Sequence, residues 1–399
     1  MLEKSDKSVG ETLKVFNQYD LEVTLLVPTE TGMKKYTMDA TSQVREYLAS
    51  TGVHDYDSQE DGPENKVKRP AYYARPDRFE ETTVSLYRPK AKPGSGDPRI
   101  WFSKLGDYAE PYNLLAVLVQ TDRIIVINCS DAAVLASIDN PRTPLGEIAA
   151  QTKAQVDPVV VELLEMIREI SGRGFIKTLR PGDTGIGMTL ETLLDIKANS
   201  NKAPDYKGIE IKSKRVRRGR GNRTNLFSQV PNWKLSPVGS AYNLLKLRGV
   251  EVDGRLQLYH ELNALTPNSY GLMLEVDAGR DWLKQNHIQM NGGPQTHDAT
   301  WKLEKLRERL VEKHRQTFWV SANCRGRGAD EEFHYVQVEH TKQPRVSNFE
   351  ALIESGVISV DYTMSEKPGK KVRDHGYLFK IHPNDFNALF PPSELHELC

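Results

Sequence analysis

Two carboxylates and a lysine lie close together near the middle of the chain. Asp205 follows a proline, and Glu210 and Lys212 stand on either side of Ile211. In a β-strand over GIEIKSK, the isoleucines face a core while Glu210 and Lys212 point together to the opposite face. Carboxylate oxygens are the ligands that Mg²⁺ prefers. A lysine beside such an ion can orient an attacking water or neutralise the charge that develops on a phosphoryl group.

This spacing predicts a Mg²⁺-dependent site that hydrolyses phosphodiester bonds. Asp205 and Glu210 are the expected metal ligands, and Lys212 is expected to position the water. Simpler interpretations stay open at this point. An aspartate after a proline is common in turns. Glu210 and Lys212 could instead form an exposed pair on a strand, and a D-x4-E-x-K pattern arises often by chance.

Basic residues follow the predicted strand directly, with no acid between positions 212 and 223. Lysine and arginine supply most of the sequence-independent affinity of proteins for DNA. The segment therefore predicts a DNA-contacting loop, and a solvated basic loop is the alternative. The candidate contacts are Arg217, Arg218, Arg220 and Arg223.

A second, shorter basic segment lies between two predicted strands, TFWVSANC and FHYVQVEH. Arg325 and Arg327 stand at the tip of this hairpin. A tip of this kind can enter a DNA groove, and a plain turn is the alternative. The tryptophans, among them Trp301 and Trp319, are interpreted as core residues.

The composition is that of a globular protein with two domains. The chain has 399 residues, and 54 Lys and Arg balance 54 Asp and Glu. A zero net charge argues against indiscriminate coating of nucleic acid but leaves a local DNA site possible. No apolar run approaches the ~20 residues of a membrane span. The polar start of the chain is unlike a signal peptide. The three separated cysteines predict a reducing, cytoplasmic setting.

The pattern of elements changes along the chain. Residues 1–150 predict a β-rich module of several short strands, and residues 138–156 are expected to be a linker. Residues 151–399 mix helical and strand patterns, which predicts an α/β sheet flanked by helices. Within them, ATWKLEKLRERLVEKHRQ predicts an amphipathic helix that includes Trp301.

Several segments together resemble one nuclease family. TGIGMTLETLL, PDYKGIEIKSKR, NLFSQVPNW, FHYVQVEH and KKVRDHGYLFKI are similar to the MvaI/BcnI restriction endonucleases, relatives of the mismatch-repair nickase MutH, over about residues 155–395. The resemblance implies a PD-(D/E)xK, restriction-endonuclease-like mixed sheet with flanking helices. It also implies a type II restriction endonuclease that acts on double-stranded DNA with Mg²⁺, by default as a monomer.

The resemblance also implies roles for further residues. Glu191, on the predicted helix TGIGMTLETLL, occupies the place of an acid that supports the metal-bound water or Lys212; by pattern alone it is equally a solvated helix glutamate. His375, in R-x-DHG, matches a histidine close to the scissile phosphate, although a lone histidine is more often structural. Lys370 and Arg373 beside it are expected to contact DNA.

The N-terminal module carries less information. RPAYYARPDRFEETTVSLYR faintly resembles the effector domain of EcoRII, a DNA-binding pseudobarrel. That likeness implies a second bound copy of DNA, contacted by Arg69, Arg75, Arg78 and Lys104; a structural or protein-docking module is the alternative. Two other functions stay open for the whole chain. One is a MutH-like nickase that depends on a partner, and the other is a DNA-binding regulator with an inactive nuclease fold.

Overall fold

A computed structural model describes most of the chain. Side chains of residues 3, 224, 371 and 373–375 fall outside the description, although their backbone is included. The described ranges are 2–90, 97–121, 123–153, 157–182, 184–196, 204–215, 224–289, 294–367 and 371–398.

The helices are short and cluster mainly in the first half of the chain. They are α1 Val9–Gln18, α2 Glu30–Lys35, α3 Ser42–Ser50, α4 Ala132–Ala136, α5 Pro144–Lys153, α6 Pro158–Ser171, α7 Gly185–Leu193, α8 Ala241–Arg248, α9 Leu303–Lys313, α10 Phe349–Glu354 and α11 Phe386–Leu389. Within the described ranges, no helix has the length and apolar character needed to cross a bilayer.

The strands run through the whole chain. They are β1 Val23–Leu26, β2 Met38–Asp39, β3 Val67–Ala74, β4 Phe79–Tyr87, β5 Arg99–Phe102, β6 Leu115–Gln120, β7 Arg123–Asn128, β8 Ile176–Lys177, β9 Glu210–Arg215, β10 Thr224–Ser228, β11 Val250–Val252, β12 Arg255–Leu262, β13 Leu272–Asp277, β14 Trp282–His287, β15 Thr296–Lys302, β16 Thr317–Arg325, β17 Glu332–Thr341, β18 Ile358–Lys367, β19 Lys371–Ile381 and β20 Glu394–Glu397.

Four sheets result from these strands. The first seven strands form one sheet in the order β1-β6-β7-β3-β4-β5-β2, which is the β-rich module that the sequence predicts. Two further sheets have the orders β10-β19-β18-β12-β11 and β13-β14-β15. The fourth has the order β20-β17-β16-β9, with β8 paired to β17. Sheets and helices of this mixed kind confirm the predicted α/β fold class.

Two compact units interleave along the chain. The first unit combines residues 1–152, 223–310 and 345–389, and the second combines residues 153–222, 311–344 and 390–399. Within the first unit, the side chain of Asn17 donates to the carbonyl oxygens of Asn387 (2.8 Å) and Ala388 (3.0 Å). The division into a domain of residues 1–150 and one of residues 151–399 stays a prediction.

One local expectation held only in part and another was wrong. The boundary between the two units falls inside the segment expected to be a linker, between residues 152 and 153, but most of that segment is α5, whose Leu145 and Ile148 are buried. The amphipathic helix expected to include Trp301 begins only at Leu303, because the preceding residues pair as β15 with β14. Pairing to a neighbouring strand overrides a helical pattern that is local.

The second unit buries one face of its sheet under α6 and α7. Strand β9 runs parallel to β16, and β16 and β17 form an antiparallel hairpin. Asp157 caps α6 by accepting a hydrogen bond from the backbone of Val159, and Pro158 fits the first helical position. The core formed by these elements includes Leu163, Ile167, Leu190, Ile209, Ile211, Phe318, Val320 and Tyr335.

Helix α7 is held close to its surroundings at its first turn. The hydroxyl of Tyr335 donates to the carbonyl oxygen of Ile186 at 2.8 Å, in a buried position. A Cβ atom at Gly185 would lie 2.2 Å from the carbonyl oxygen of Arg180 and 2.7 Å from Oγ1 of Thr178. Only glycine allows this approach. Among the residues that the structure describes, the nearest atom to a Cβ at Gly187 would be Glu191 Oε1, at 3.6 Å.

We therefore expect Gly185→Ala to destabilise the protein and Gly187→Ala to be tolerated. The first substitution forces backbone to move, at a cost of about 1–3 kcal/mol. The second places alanine in a helix at an ordinary packing distance, which is neutral or slightly stabilising. The measurement is the midpoint of urea unfolding followed by circular dichroism for both variants. Equal midpoints for the two variants would contradict the close approach at Gly185.

Candidate active site

A tight turn places Asp205 beside the start of β9. The chain reverses between Tyr206 and Ile209, whose backbone N–H groups donate to each other's carbonyl oxygens at 2.9 and 2.7 Å. Both central residues have positive φ, 41° and 99°, and the second is Gly208. Two central residues with positive φ are typical of the two-residue turns that reverse the chain tightly. The carboxylate Oδ2 of Asp205 then accepts a hydrogen bond from the backbone N–H of Ile211 at 2.8 Å, which fixes its position relative to the strand.

Strand β9 presents Glu210 and Lys212 on one face, as the sequence predicts. Ile209 and Ile211 are buried, Glu210 is half-buried and Lys212 is exposed. The backbone N–H of Glu210 donates to the carbonyl oxygen of Gln316 at 2.8 Å, which anchors β9 at the start of β16. The acid and the lysine therefore stand on the solvent side of a strand whose other face is locked in the core.

Trp319 supports Lys212 from the neighbouring strand. The two residues are register partners in the parallel pair β9–β16. The ammonium of Lys212 lies 5.2 Å from the centre of the indole ring, within the range of a cation–π interaction. The prediction that Trp319 belongs to the core was wrong in part, because this half-buried side chain also serves the charged face. The sequence contains no signal for this contact between Lys212 and Trp319, because β9 and β16 are far apart along the chain.

Glu191 joins Asp205 and Glu210 in one group, called here the acidic cluster. Burial raises the pKa of the Glu191 carboxyl above its ordinary value, and the negative charges of Asp205 and Glu210 raise that pKa further. Asp205 and Glu210 are thus near enough for their charges to act on Glu191, although one oxygen from each of the three acids does not come within 4.8 Å of the other two. Like charges repel one another, and a bound cation would relieve that repulsion.

The two basic residues at the end of β9 each pair with an acidic residue. Arg215 forms two hydrogen bonds of 3.0 Å with the carboxylate of Glu331. Lys214 donates to Glu339 at 3.0 Å. These pairs cross from β9 to β17 or the turn before it. They stabilise the sheet, so Lys214 and Arg215, at the beginning of the basic segment, have a structural role.

The two arginines of the β16–β17 hairpin differ in their surroundings. The guanidinium of Arg325 pairs with Glu332 and lies 4.2 Å from the ring centre of Phe175. Arg327 is exposed in the turn that follows β16. Arg325 therefore already has an acidic partner in the last pair before the turn, and Arg327 lies in the turn itself. Their predicted contacts with DNA stay predictions.

The remaining predicted site residues cannot be placed by their side chains. Outside the described residues lie Arg217, Arg218, Arg220, Arg223 and Lys370. Arg373 and His375 are part of β19 in the first unit, and their side chains are not described. Their proposed roles stay predictions.

Comparison with known proteins gives a family and a set of similar structures. Residues 164–390 match the MvaI/BcnI restriction endonuclease family. Two solved structures are similar at 22% sequence identity over 61% of this chain. One is the restriction endonuclease MvaI with its cognate DNA substrate (all of that chain covered, TM-score 0.37). The other is MvaI in the absence of DNA (99% covered, TM-score 0.39). Comparison with curated proteins gave no match.

The family match includes the acidic cluster and Lys212, and it spans more than half of the chain. The TM-scores of the similar structures are low, so the assignment rests on the family match alone. The chain belongs to the MvaI/BcnI restriction endonuclease family.

Proposed function

We propose that this protein is a type II restriction endonuclease that hydrolyses phosphodiester bonds of double-stranded DNA at a short specific sequence. Cleavage would leave 5′-phosphate and 3′-hydroxyl ends. The observation that carries the proposal is the placement of Asp205 beside a strand that presents Glu210 and Lys212 on one face, in a member of this family.

The acidic cluster fits a Mg²⁺ ion. Its donors are carboxylate oxygens, which are the ligands of this hard cation. Asp205 uses Oδ2 for the hydrogen bond to Ile211, so its second oxygen remains for a cation together with Glu210. Burial is the main cause of the raised pKa of Glu191, and the charges of Asp205 and Glu210, which a cation would offset, raise that pKa further. When bound, the ion would supply Lewis-acid polarisation of the phosphoryl group and activation of water.

The side chains around the cluster have separate tasks. Asp205 is held by the backbone of β9 and provides a fixed ligand. Lys212 shares the face of Glu210 and presents its ammonium above Trp319, where it can orient the attacking water and stabilise negative charge on the phosphoryl oxygens. Glu191 can accept a hydrogen bond from that water or from Lys212. Since its pKa is raised, it can also take up a proton more readily than an ordinary glutamate.

DNA would be held by basic residues near this face. Arg327 is exposed at the hairpin tip, and the segment that contains Arg217, Arg218 and Arg220 follows β9 directly. Lysine and arginine contacts to phosphates position a protein on the duplex, whereas contacts to base edges specify the sequence. We infer that these residues supply mainly the positioning contacts and that the protein acts as a monomer in the cytoplasm.

A second DNA copy on the N-terminal sheet has less support. Arg75 donates to Glu80 at 2.8 Å, and its guanidinium lies 4.9 Å from the ring centre of Tyr108. Arg78 donates to Asp77 at 3.1 Å. Arg75 and Arg78, two of the four side chains expected to contact a second DNA copy, therefore already have acidic partners. Arg69 and Lys104 are exposed and remain candidates for such a contact.

We expect Asp205→Ala and Glu210→Ala to abolish DNA cleavage while leaving DNA binding in Ca²⁺ largely intact. Loss of a group that acts in the transition state lowers the rate by about a thousandfold or more. Ca²⁺ can occupy an oxygen site and maintain binding without supporting the chemistry. The measurement is nicking and linearisation of supercoiled plasmid in Mg²⁺ against EDTA, with no other protein added.

Glu64→Gln is the matched control for these variants. Glu64 is exposed and pairs with Lys90 at 2.6 Å, and neither residue belongs to the acidic cluster or to the turn that holds Asp205. It should cut like the parent. Either cluster variant cutting at more than a few per cent of the parent rate would remove the metal-ligand assignment. A parent that binds DNA but cuts only with an added partner would instead indicate a MutH-like nickase, and one that never cuts would indicate a regulator.

Glu191→Gln should stabilise the protein at neutral pH when no divalent cation is present. A carboxyl whose pKa is raised on folding stabilises the folded state below its unfolded pKa of about 4.3. That stabilisation is lost as the pH rises through the folded pKa. Removing the charge should therefore raise the melting temperature in EDTA near pH 8, with the gain disappearing towards pH 4.

The same Glu64→Gln variant serves as the control for this effect. The hydrogen bond from Lys90 lowers the pKa of Glu64, so its replacement should not raise the melting temperature at any pH. A Glu191→Gln protein that melts no higher than the parent near pH 8 would show that the acidic cluster carries no net repulsion.

Replacing Arg217, Arg218 and Arg220 together with alanine should weaken DNA binding and reduce its salt dependence. Each lost phosphate contact lowers the slope of log K against log salt by about 0.9. The measurement is the binding constant at several salt concentrations in Ca²⁺. A double replacement of the exposed Lys34 and Lys35 on α2 is the control for a general loss of positive charge. An unchanged slope in the arginine variant would mean that these side chains are only solvated.

A further inference from the structure

Three potential metal ligands share one face of the β17–β20 pair. In this antiparallel pair, His340 lies opposite Glu394 and Val338 lies opposite His396. Alternate residues of a strand point to the same side. His340, Glu394 and His396 therefore project together from the sheet, and they are called here the histidine site. All three belong to the second unit.

The ligand atoms of the histidine site converge. Oε2 of Glu394 is 3.9 Å from Nδ1 of His340 and 3.8 Å from Nε2 of His396. One ligand atom from each residue lies within 4.8 Å of the other two. Ligands held at about 2.0–2.2 Å from a tetrahedral zinc ion are separated by somewhat over 3 Å. Small side-chain rotations would therefore bring the three atoms to coordination distance.

Both histidines direct an unsatisfied nitrogen into this space. Nδ1 of His340 and Nε2 of His396 are buried, and neither has a hydrogen-bond partner in the described part of the chain. The side chain of His340 is only 2% exposed. A buried polar atom without a partner is uncommon in folded proteins and points to an unfilled role such as binding an ion.

An ordinary ion pair does not account for this arrangement. Nδ1 of His340 and Nε2 of His396 are 3.9 Å and 3.8 Å from the nearest Glu394 oxygen, so both are beyond hydrogen-bond distance. Lys342 pairs with the other oxygen, Oε1, at 3.1 Å, which leaves Oε2 directed towards the two histidines.

A neighbouring amide can orient the buried ring. The side-chain amide of Gln316 lies 3.0 Å from Nε2 of His340. A metal on Nδ1 would leave the ring proton on Nε2, which could donate to the oxygen of this amide after the amide turns over. Partners of this kind fix the tautomer of metal-binding histidines.

We propose that His340, Glu394 and His396 bind one Zn²⁺ ion or a similar transition metal, separate from the acidic cluster. Two imidazoles and one carboxylate are a donor set for zinc rather than for Mg²⁺, which takes oxygen ligands. The sheet order β20-β17-β16-β9 places two strands between β20 and the strand of Glu210 and Lys212. The ion would join β20 to β17 and so stabilise the edge of the sheet.

The test is zinc binding by the full chain, without an affinity tag and freed of metals. Zn²⁺ alone is titrated and the tight stoichiometry is measured by calorimetry and by metal analysis after dialysis. We expect one tight equivalent in the parent and its loss in His396→Ala and in Glu394→Gln. Bound zinc should also raise the melting temperature of the parent, because a ligand that binds only the folded state stabilises it.

Three further variants separate the histidine site from other zinc ligands. His382→Ala removes an exposed histidine, Cys324→Ser removes an exposed thiol, and Asp205→Ala removes an acid of the acidic cluster. Each should keep the tight equivalent. Glu394 is largely exposed, so Glu394→Gln is expected to fold even if His396→Ala does not. A parent without tight zinc, or a folded Glu394→Gln variant that keeps the full equivalent, would overturn the proposal.

Discussion

The division of β9 into an apolar face and a charged face is the constraint on which the candidate active site depends. Ile209 and Ile211 are buried with Phe318 and Val320, while Glu210 and Lys212 stand on the other side. A slip of one residue against β16 would exchange the two faces and bury both charges. The cost of burying an unpaired charge therefore fixes the register. The position of the acid and the lysine follows from that register.

The acidic cluster works against stability, and the surrounding structure compensates. Burial, and then the charges of Asp205 and Glu210, raise the pKa of Glu191, so its charged form is disfavoured in the folded protein. Asp205 is nevertheless held by a turn and by the N–H of Ile211. On the other side, α7 approaches its neighbours closely at Gly185 and accepts a hydrogen bond from Tyr335. Strain of this kind is typical of sites arranged for binding and chemistry rather than for stability.

The two proposed metal sites belong to one sheet but differ in chemistry. The acidic cluster offers oxygen ligands and a lysine on β9, where a hard cation and a phosphate could meet. The histidine site offers two imidazoles and one carboxylate at the edge formed by β17 and β20. Gln316 lies between them: its carbonyl oxygen accepts from the N–H of Glu210, and its amide contacts His340. This shared residue, which directly precedes β16, gives the two sites a structural connection.

Local patterns in the sequence determined the parts of the candidate site that depend on one segment. The alternation of isoleucine with charge predicted the two faces of β9, and the helical pattern around Glu191 predicted α7. Both elements are present, and the charge of Glu210 acts on Glu191. The β-rich character of the first 128 residues was likewise readable, since strand signals and turns are short-range. The family resemblance added the expectation that these acids act together.

Only the tertiary structure decided which distant residues meet. Trp319 lies beside Lys212 and Glu331 beside Arg215 because β9 pairs with a hairpin about a hundred residues later. His340 meets His396 through the pairing of β17 with the last strand. The segment before Leu303 became a strand because β14 was available as a partner. Periodicity is a property of neighbouring residues, whereas register between strands depends on how the whole core packs, so no local pattern contains it.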